Sequence, residues 1–203
     1  MPARAKTRSA RPAALAERIV DAAVARGENL GWDRVRLSDV ARDLKVPTAA
    51  VLDHFRDLDA VADAWFGRAL AAMLAAGERA RARPPRERVE ALMLAWFDAL
   101  RAHRPVTAEM LKTKLYLSHP HHWVPMIFSL SRTIQWLRDA AGFEAQGRRR
   151  QIEEIGLSAL FLATLALWCR DASPNQERTR AFLSRTLDAA DRGLARLYGG
   201  TGT

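Results

Sequence analysis

The chain has 203 residues, 49% apolar and 27% charged, the balance of a folded globular protein rather than a disordered one. With 32 basic against 23 acidic residues the net charge is +9, which suggests an anionic partner, and a lone Cys169 excludes an internal disulfide and fits a cytoplasmic compartment. The longest nearly apolar run, Ile155 to Trp168, is shorter than a bilayer span, and the opening segment has no signal-peptide core, so neither a membrane span nor secretion is expected.

Apolar residues recur at three- and four-residue steps nearly throughout, and alternating strand-like runs are absent, which predicts an all-α chain of about nine helices. Residues 1–11 hold Arg4, Lys6, Arg8 and Arg11 with no acid and are expected to form a disordered basic tail. A first helix should start at Pro12, carry Leu15, Ile19, Ala22 and Ala23 on one face, and end near Gly27 to Gly31. Short helices follow over Leu37 to Leu44 and Thr48 to His54, separated by the turn at Val46-Pro47. A fourth should start at Asp57 to Asp59, whose carboxylates suit an N-terminus, and run to about Arg81. Pro84-Pro85, inside the basic run Arg79, Arg81, Arg83, Arg86 and Arg88, breaks the chain there. Beyond it the pattern predicts helices from Pro85 to Arg101, Val106 to Leu117, Val124 to Ala141, Gln146 to Ala172 and Asn175 to Leu197. Gly142 should cap the third of these, and Asp171 to Pro174 should make a tight link between the last two.

Within Leu37 to Phe55, Val40, Ala41 and Leu44 give the first short helix an apolar face, and Ala50, Val51 and Phe55 face inward from the second. Small Ala41 permits the steep crossing of a helix-turn-helix, a motif that projects its second helix into the DNA major groove. The stretch Arg18-Ile-Val-Asp-Ala-Ala-Val24, the Gly31-Trp32 turn, the helix-turn-helix, the closing His54-Phe55 and the polar Arg56-Asp-Leu-Asp59 together resemble the TetR family of bacterial transcriptional regulators, over about residues 14 to 70. The break at Pro84-Pro85 is the expected domain boundary and residues 199–203 should form a frayed tail, while the resemblance implies a helix-turn-helix domain over 12–56, a connecting helix over 57–83 and a helical ligand-binding and dimerisation domain over 84–198. It also implies a ligand-responsive repressor that binds a pseudo-palindromic double-stranded DNA operator as a homodimer and responds to a small hydrophobic effector.

The expected DNA contacts are Arg36, Ser38, Lys45, Thr48, Ala49, Asp53 and His54, with Lys45 and the tail on phosphate and Thr48, Ala49 and His54 on bases. Leu52 stands where members of the family usually carry a phosphate-contacting tyrosine. Met93, Trp96, Phe97, Met110, Met126, Leu130, Trp136, Phe161 and Trp168 are rich in the aromatic and thioether side chains that suit an adaptable apolar pocket, and they are the expected ligand contacts. Leu160, Leu183, Leu187 and Leu194, on the last two helices, are the expected dimer contacts, with Gly156, Ala159, Ala163 and Ala166 allowing close approach.

A second resemblance lies in Ala172-Ser-Pro-Asn-Gln-Glu-Arg-Thr-Arg-Ala-Phe-Leu183, which is similar to a segment of the lipid-binding ubiquinone-biosynthesis proteins that share the TetR-like fold. It implies an alternative role as a carrier of hydrophobic lipid without sequence-specific DNA binding. Those proteins add an amphipathic C-terminal helix that touches membrane, for which the residues after Tyr198 are too few, so no membrane contact is expected. His119, His121 and His122 lie in an expected loop with no nearby carboxylate, which argues against a metal site. No nucleophilic triad, phosphate loop or HExxH pattern is present; no cofactor is expected, and neither is an enzyme.

Overall fold

The computed structural model describes the backbone of residues 4–114 and 120–198 and the side chains of residues 14–113 and 130–193. The described residues form nine α-helices: α1 (Arg4–Leu30), α2 (Leu37–Leu44), α3 (Thr48–Leu52), α4 (Leu58–Ala80), α5 (Pro85–Leu100), α6 (Arg104–Lys114), α7 (Pro120–Ala140), α8 (Gly147–Trp168) and α9 (Glu177–Tyr198). Single 3-10 turns occupy Trp32–Arg34, Arg101–His103 and Pro174–Gln176. The all-α reading of the sequence is correct.

Several boundaries differ from the expected ones for local reasons. α1 begins at Arg4 rather than Pro12, so the segment expected to be a disordered tail continues the helix, consistent with the strong helix propensity of Ala5, Ala10, Ala13 and Ala14. α4 starts where the Asp57 carboxylate accepts the Ala60 amide at 2.7 Å, the N-cap expected of that aspartate. α7 ends in the glycine cap foreseen at Gly142, which has φ +73° and lets the Phe143 amide reach the Arg138 carbonyl at 3.1 Å. α7 also begins earlier than expected, placing His121 and His122 in its first turn instead of a loop; their side chains and His119 lie outside the described residues.

Compact packing divides the chain inside α4, not at Pro84-Pro85. One unit comprises Met1–Arg68 and His103–Tyr116, the other Ala69–Ala102 and Leu117–Thr203. The reason is α6, which returns to α1 and the Trp32 turn. Gly27 makes that return possible: a Cβ there would lie 2.6 Å from Val106 Cγ2 and 3.0 Å from the Trp32 ring. Gly27→Ala should therefore cost about 1–3 kcal/mol by overpacking, even though alanine favours helix, and urea unfolding would show the midpoint falling. An unchanged midpoint would mean that α6 yields without cost. The same contact is pinned by polar groups. The Trp32 amide donates to Glu109 at 2.7 Å, Trp65 Nε1 donates to Thr107 Oγ1 at 3.0 Å, and His103 Nδ1 lies 2.6 Å from Glu28. Arg68 joins α4 to α1 by pairing with Glu17 and Asp21.

The second unit has its core on Met73, Leu92, Phe97, Leu137, Phe161, Trp168 and Leu183, all buried. Arg86 on α5 pairs with Glu90 and with Asp188 of α9, and donates to Ser184. The link between α8 and α9 is built around Asp171, which is 1% exposed. Its carboxylate accepts the amides of Ser173 and Thr179, each at 2.9 Å, and both their hydroxyls. Burial alone would raise this carboxyl, but those four donors hold it well below the usual carboxylate range. Asn175 and Gln176 both adopt left-handed backbone, at φ 49° and 59°. The strain is held by side chains: Gln176 accepts from Trp168 Nε1 and donates to Asp98 at 2.7 Å, while Asn175 accepts from Arg101 at 2.8 Å.

Candidate nucleic-acid interface

α2 and α3 form a helix-turn-helix whose inward side is Val40, Ala41, Val51 and Phe55, all buried. Arg36 is extended at the N-terminus of α2. The turn is closed by Lys45 in the left-handed conformation, φ 55°, with the Val46 amide donating to Ala41 at 3.0 Å. Pro47 then sets the entry into α3 at φ −59° and ψ 144°.

The outward side collects the residues read from the sequence. Arg36, Ser38, Lys45, Thr48, Ala49 and Asp53 are all exposed on α2, the turn and α3 or its C-terminus, and His54 is half-buried just beyond. The acids of α2 are neutralised within the chain. Asp39 pairs with Arg42 at 2.9 Å and with Arg26 at 3.4 Å, and Arg26 also pairs with Asp43. Arg36 and Lys45 therefore present positive charge at the two ends of α2 without an adjacent bare carboxylate on that helix, an arrangement suited to phosphate.

One outward residue was not among the expected contacts. Leu52 is 63% exposed on the same face of α3 as Thr48 and Ala49, at the helical spacings i+4 and i+3. Its type and spacing were legible in the sequence. The anchors Glu109, Thr107 and His103, by contrast, act across 42 to 77 residues and leave no local signal.

The expected ligand contacts separate. Trp96, Phe97, Phe161 and Trp168 come together, with ring centroids 5.1 Å apart for Trp96–Phe161, 5.6 Å for Phe97–Phe161 and 5.7 Å for Phe97–Trp168. They are joined in the core by Met93. These rings pack directly on one another, as core side chains do. Met110 belongs to the other compact unit, because α6 lies on α1. Trp136 is 47% exposed, since α7 turns Ile134 and Leu137 inward instead. Leu130 is half-buried, and the Met126 side chain lies outside the described residues.

The expected dimer contacts separate as well. Leu183 and Leu187 are buried within the chain, because that face of α9 packs on α5 and α8. Leu160 is half-buried, and the Leu194 side chain lies outside the described residues. The apolar surface that α8 leaves open is a different stripe: Ile152, Ile155 and Leu162, 64%, 70% and 46% exposed, with Gly156, Ala159, Ala163 and Ala166 of the same helix also exposed. A shallow open groove lined by Gln151, Glu154, Ile155 and Ser158 runs beside it. α8 is 22 residues long, so by length and composition alone it is long and apolar enough to cross a membrane, as the 14-residue run within it is not.

The COQ9 family model matches residues 148–193, which cover most of α8 and of α9. No curated protein matches the chain. Among solved structures, the chain is 36% identical to a TetR transcriptional regulator from Nitrosomonas europaea, covering 87% of this chain and 98% of that one with a TM-score of 0.78. It shares the fold of PfmR, a TetR family transcriptional regulator from Thermus thermophilus, at 22% identity, covering 84% and 97% of the two chains with a TM-score of 0.57. A TetR transcriptional regulator from a Rhodococcus species shares it too, at 16% identity, with coverage of 89% and 96% and a TM-score of 0.61. Identity above one third along nearly the whole of the Nitrosomonas protein, on a chain whose helix-turn-helix is formed and faces outward, settles the family: the chain belongs to the TetR family of transcriptional regulators.

Proposed function

We propose that the protein is a cytoplasmic, ligand-responsive repressor that binds a pseudo-palindromic operator as a homodimer. The observation that carries this reading is the outward face of α2 and α3, where the expected contacts stand together while the acids of α2 are tied to Arg26 and Arg42. The open stripe on α8 supports the dimer. Gly156 on α8 and Gly193 on α9 each have space for a Cβ within the chain, yet glycine costs about 1 kcal/mol against alanine inside a helix. Close approach by a second copy accounts for both. A small hydrophobic effector in the helical unit would shift operator affinity only by preferring one spacing of the two α3 helices over the other.

Selection of bound genomic fragments at about 150 mM salt, where nonspecific contacts are screened, tests the reading. One enriched palindromic site supports it. On that site Lys45→Ala should weaken binding to all sequences alike and lower the salt slope by about one. A slope left unchanged would remove Lys45 from the phosphate contacts.

The COQ9 match over residues 148–193 and the apolar face of α8 favour a second reading, a carrier of hydrophobic lipid. Its signature would be co-purifying isoprenoid or acyl lipid together with no enriched site.

A further inference from the structure

α3 presents an unusual chemistry to a DNA groove. Four side chains point outward from it and its C-terminus: Thr48, Ala49, Leu52 and Asp53. None is an arginine, lysine, asparagine or glutamine, the side chains that pair bidentately with guanine or adenine. Only the Thr48 hydroxyl donates, and Asp53 only accepts. The centre of the face is apolar, made by Ala49 and by Leu52, which is 63% exposed. Val51, the residue between them and the core, is 1% exposed and holds this orientation.

We infer that Leu52 and Ala49 read thymine, by packing against its C5-methyl group in the major groove. This rests on the operator-binding reading above and names what that site recognises. The occupant is double-stranded DNA because the apolar centre is flanked by exposed Arg36 and Lys45, positioned for backbone phosphates, while Asp39 and Asp43 are paired within the chain. Thymine is the base whose major-groove edge offers a methyl group; cytosine has only a hydrogen at that carbon, and the polar groups of the other bases are donors or acceptors that Leu52 would leave unpaired. Specificity from such contacts is carried by shape and desolvation. It should therefore be insensitive to salt, unlike the contribution of Lys45.

The probe is the operator itself with deoxyuridine in place of thymidine, position by position, which removes the methyl group and nothing else. At the contacted position the wild-type protein should lose about fourfold in affinity for one half-site and about fifteenfold for both, the effect of one buried methyl group each. Leu52→Ala should bind the unmodified operator more weakly, keep the wild-type salt slope, and lose less affinity on substitution. Leu52→Met, which retains apolar reach, should restore sensitivity to the methyl group. The exposed position makes both replacements compatible with folding, and the wild-type measurement needs no variant at all.

If uracil substitution changes nothing at any half-site position of a specifically bound operator, thymine readout is wrong while the regulator stands. If wild type and Leu52→Ala lose affinity equally, the methyl group is read by another residue and the assignment to Leu52 falls. If no operator is enriched, the regulator reading and this inference fail together.

Discussion

Asp171→Ala should lower the melting temperature by roughly 6–12 °C at pH 7, from a loss of about 3 kcal/mol at roughly 2–4 °C per kcal/mol for a chain of this size. The carboxylate is the common acceptor for the amides and hydroxyls of Ser173 and Thr179, and Thr179 is fully buried. Alanine leaves the Thr179 amide and hydroxyl unpaired where water does not reach them, while half-buried Ser173 loses its partner less severely. The pH dependence separates this mechanism from a simple packing defect. The folded carboxyl lies below its unfolded value, so its stabilisation is fully present above the ordinary carboxylate range, about pH 4. It is lost as the pH falls from there through the depressed folded value. The gap in melting temperature between wild type and Asp171→Ala should accordingly be constant from pH 6 to 8 and narrow progressively in acid. A gap independent of pH down to about pH 3, well inside the unfolded carboxylate titration, would show that the ionised form is not what holds the α8–α9 link.

If the proposed dimer closes over α8, Ile155→Arg should leave a monomer and weaken operator binding by about 10²- to 10⁴-fold, because two half-sites held on one particle gain that much from effective concentration. Ile155 is 70% exposed in the chain, so arginine there is harmless to the isolated fold and costly only when a second copy covers it without a counter-charge. Sedimentation at micromolar concentration reads the first effect and titration of the selected operator reads the second. Leu187→Arg would disturb association only indirectly. Leu187 is 7% exposed and lies inside its own chain, so that replacement should unfold the α9 packing first. A dimeric Ile155→Arg protein with full operator affinity would move the interface away from the open face of α8.

Residues whose role depends on near neighbours were legible in the sequence. The apolar faces of α2 and α3, the Asp57 cap, the Gly142 cap and the outward placement of Thr48, Ala49 and Asp53 all follow from spacings of three or four residues and from backbone preferences of single side chains. The all-α class and the helix-turn-helix rest on the same local rules. Tertiary structure alone decided which of two apolar faces each long helix turns inward. α9 could have shown Leu183 and Leu187 to a partner, but α5 and α8 claim them, and the open surface passes to Ile152, Ile155 and Leu162 of α8. Met110 joined the N-terminal unit for the same reason, since α6 folds back on α1 over Gly27 and is held by Glu109 and Thr107. A helical period shows that a face is apolar; it carries no term for the element, distant in sequence, that comes to cover it.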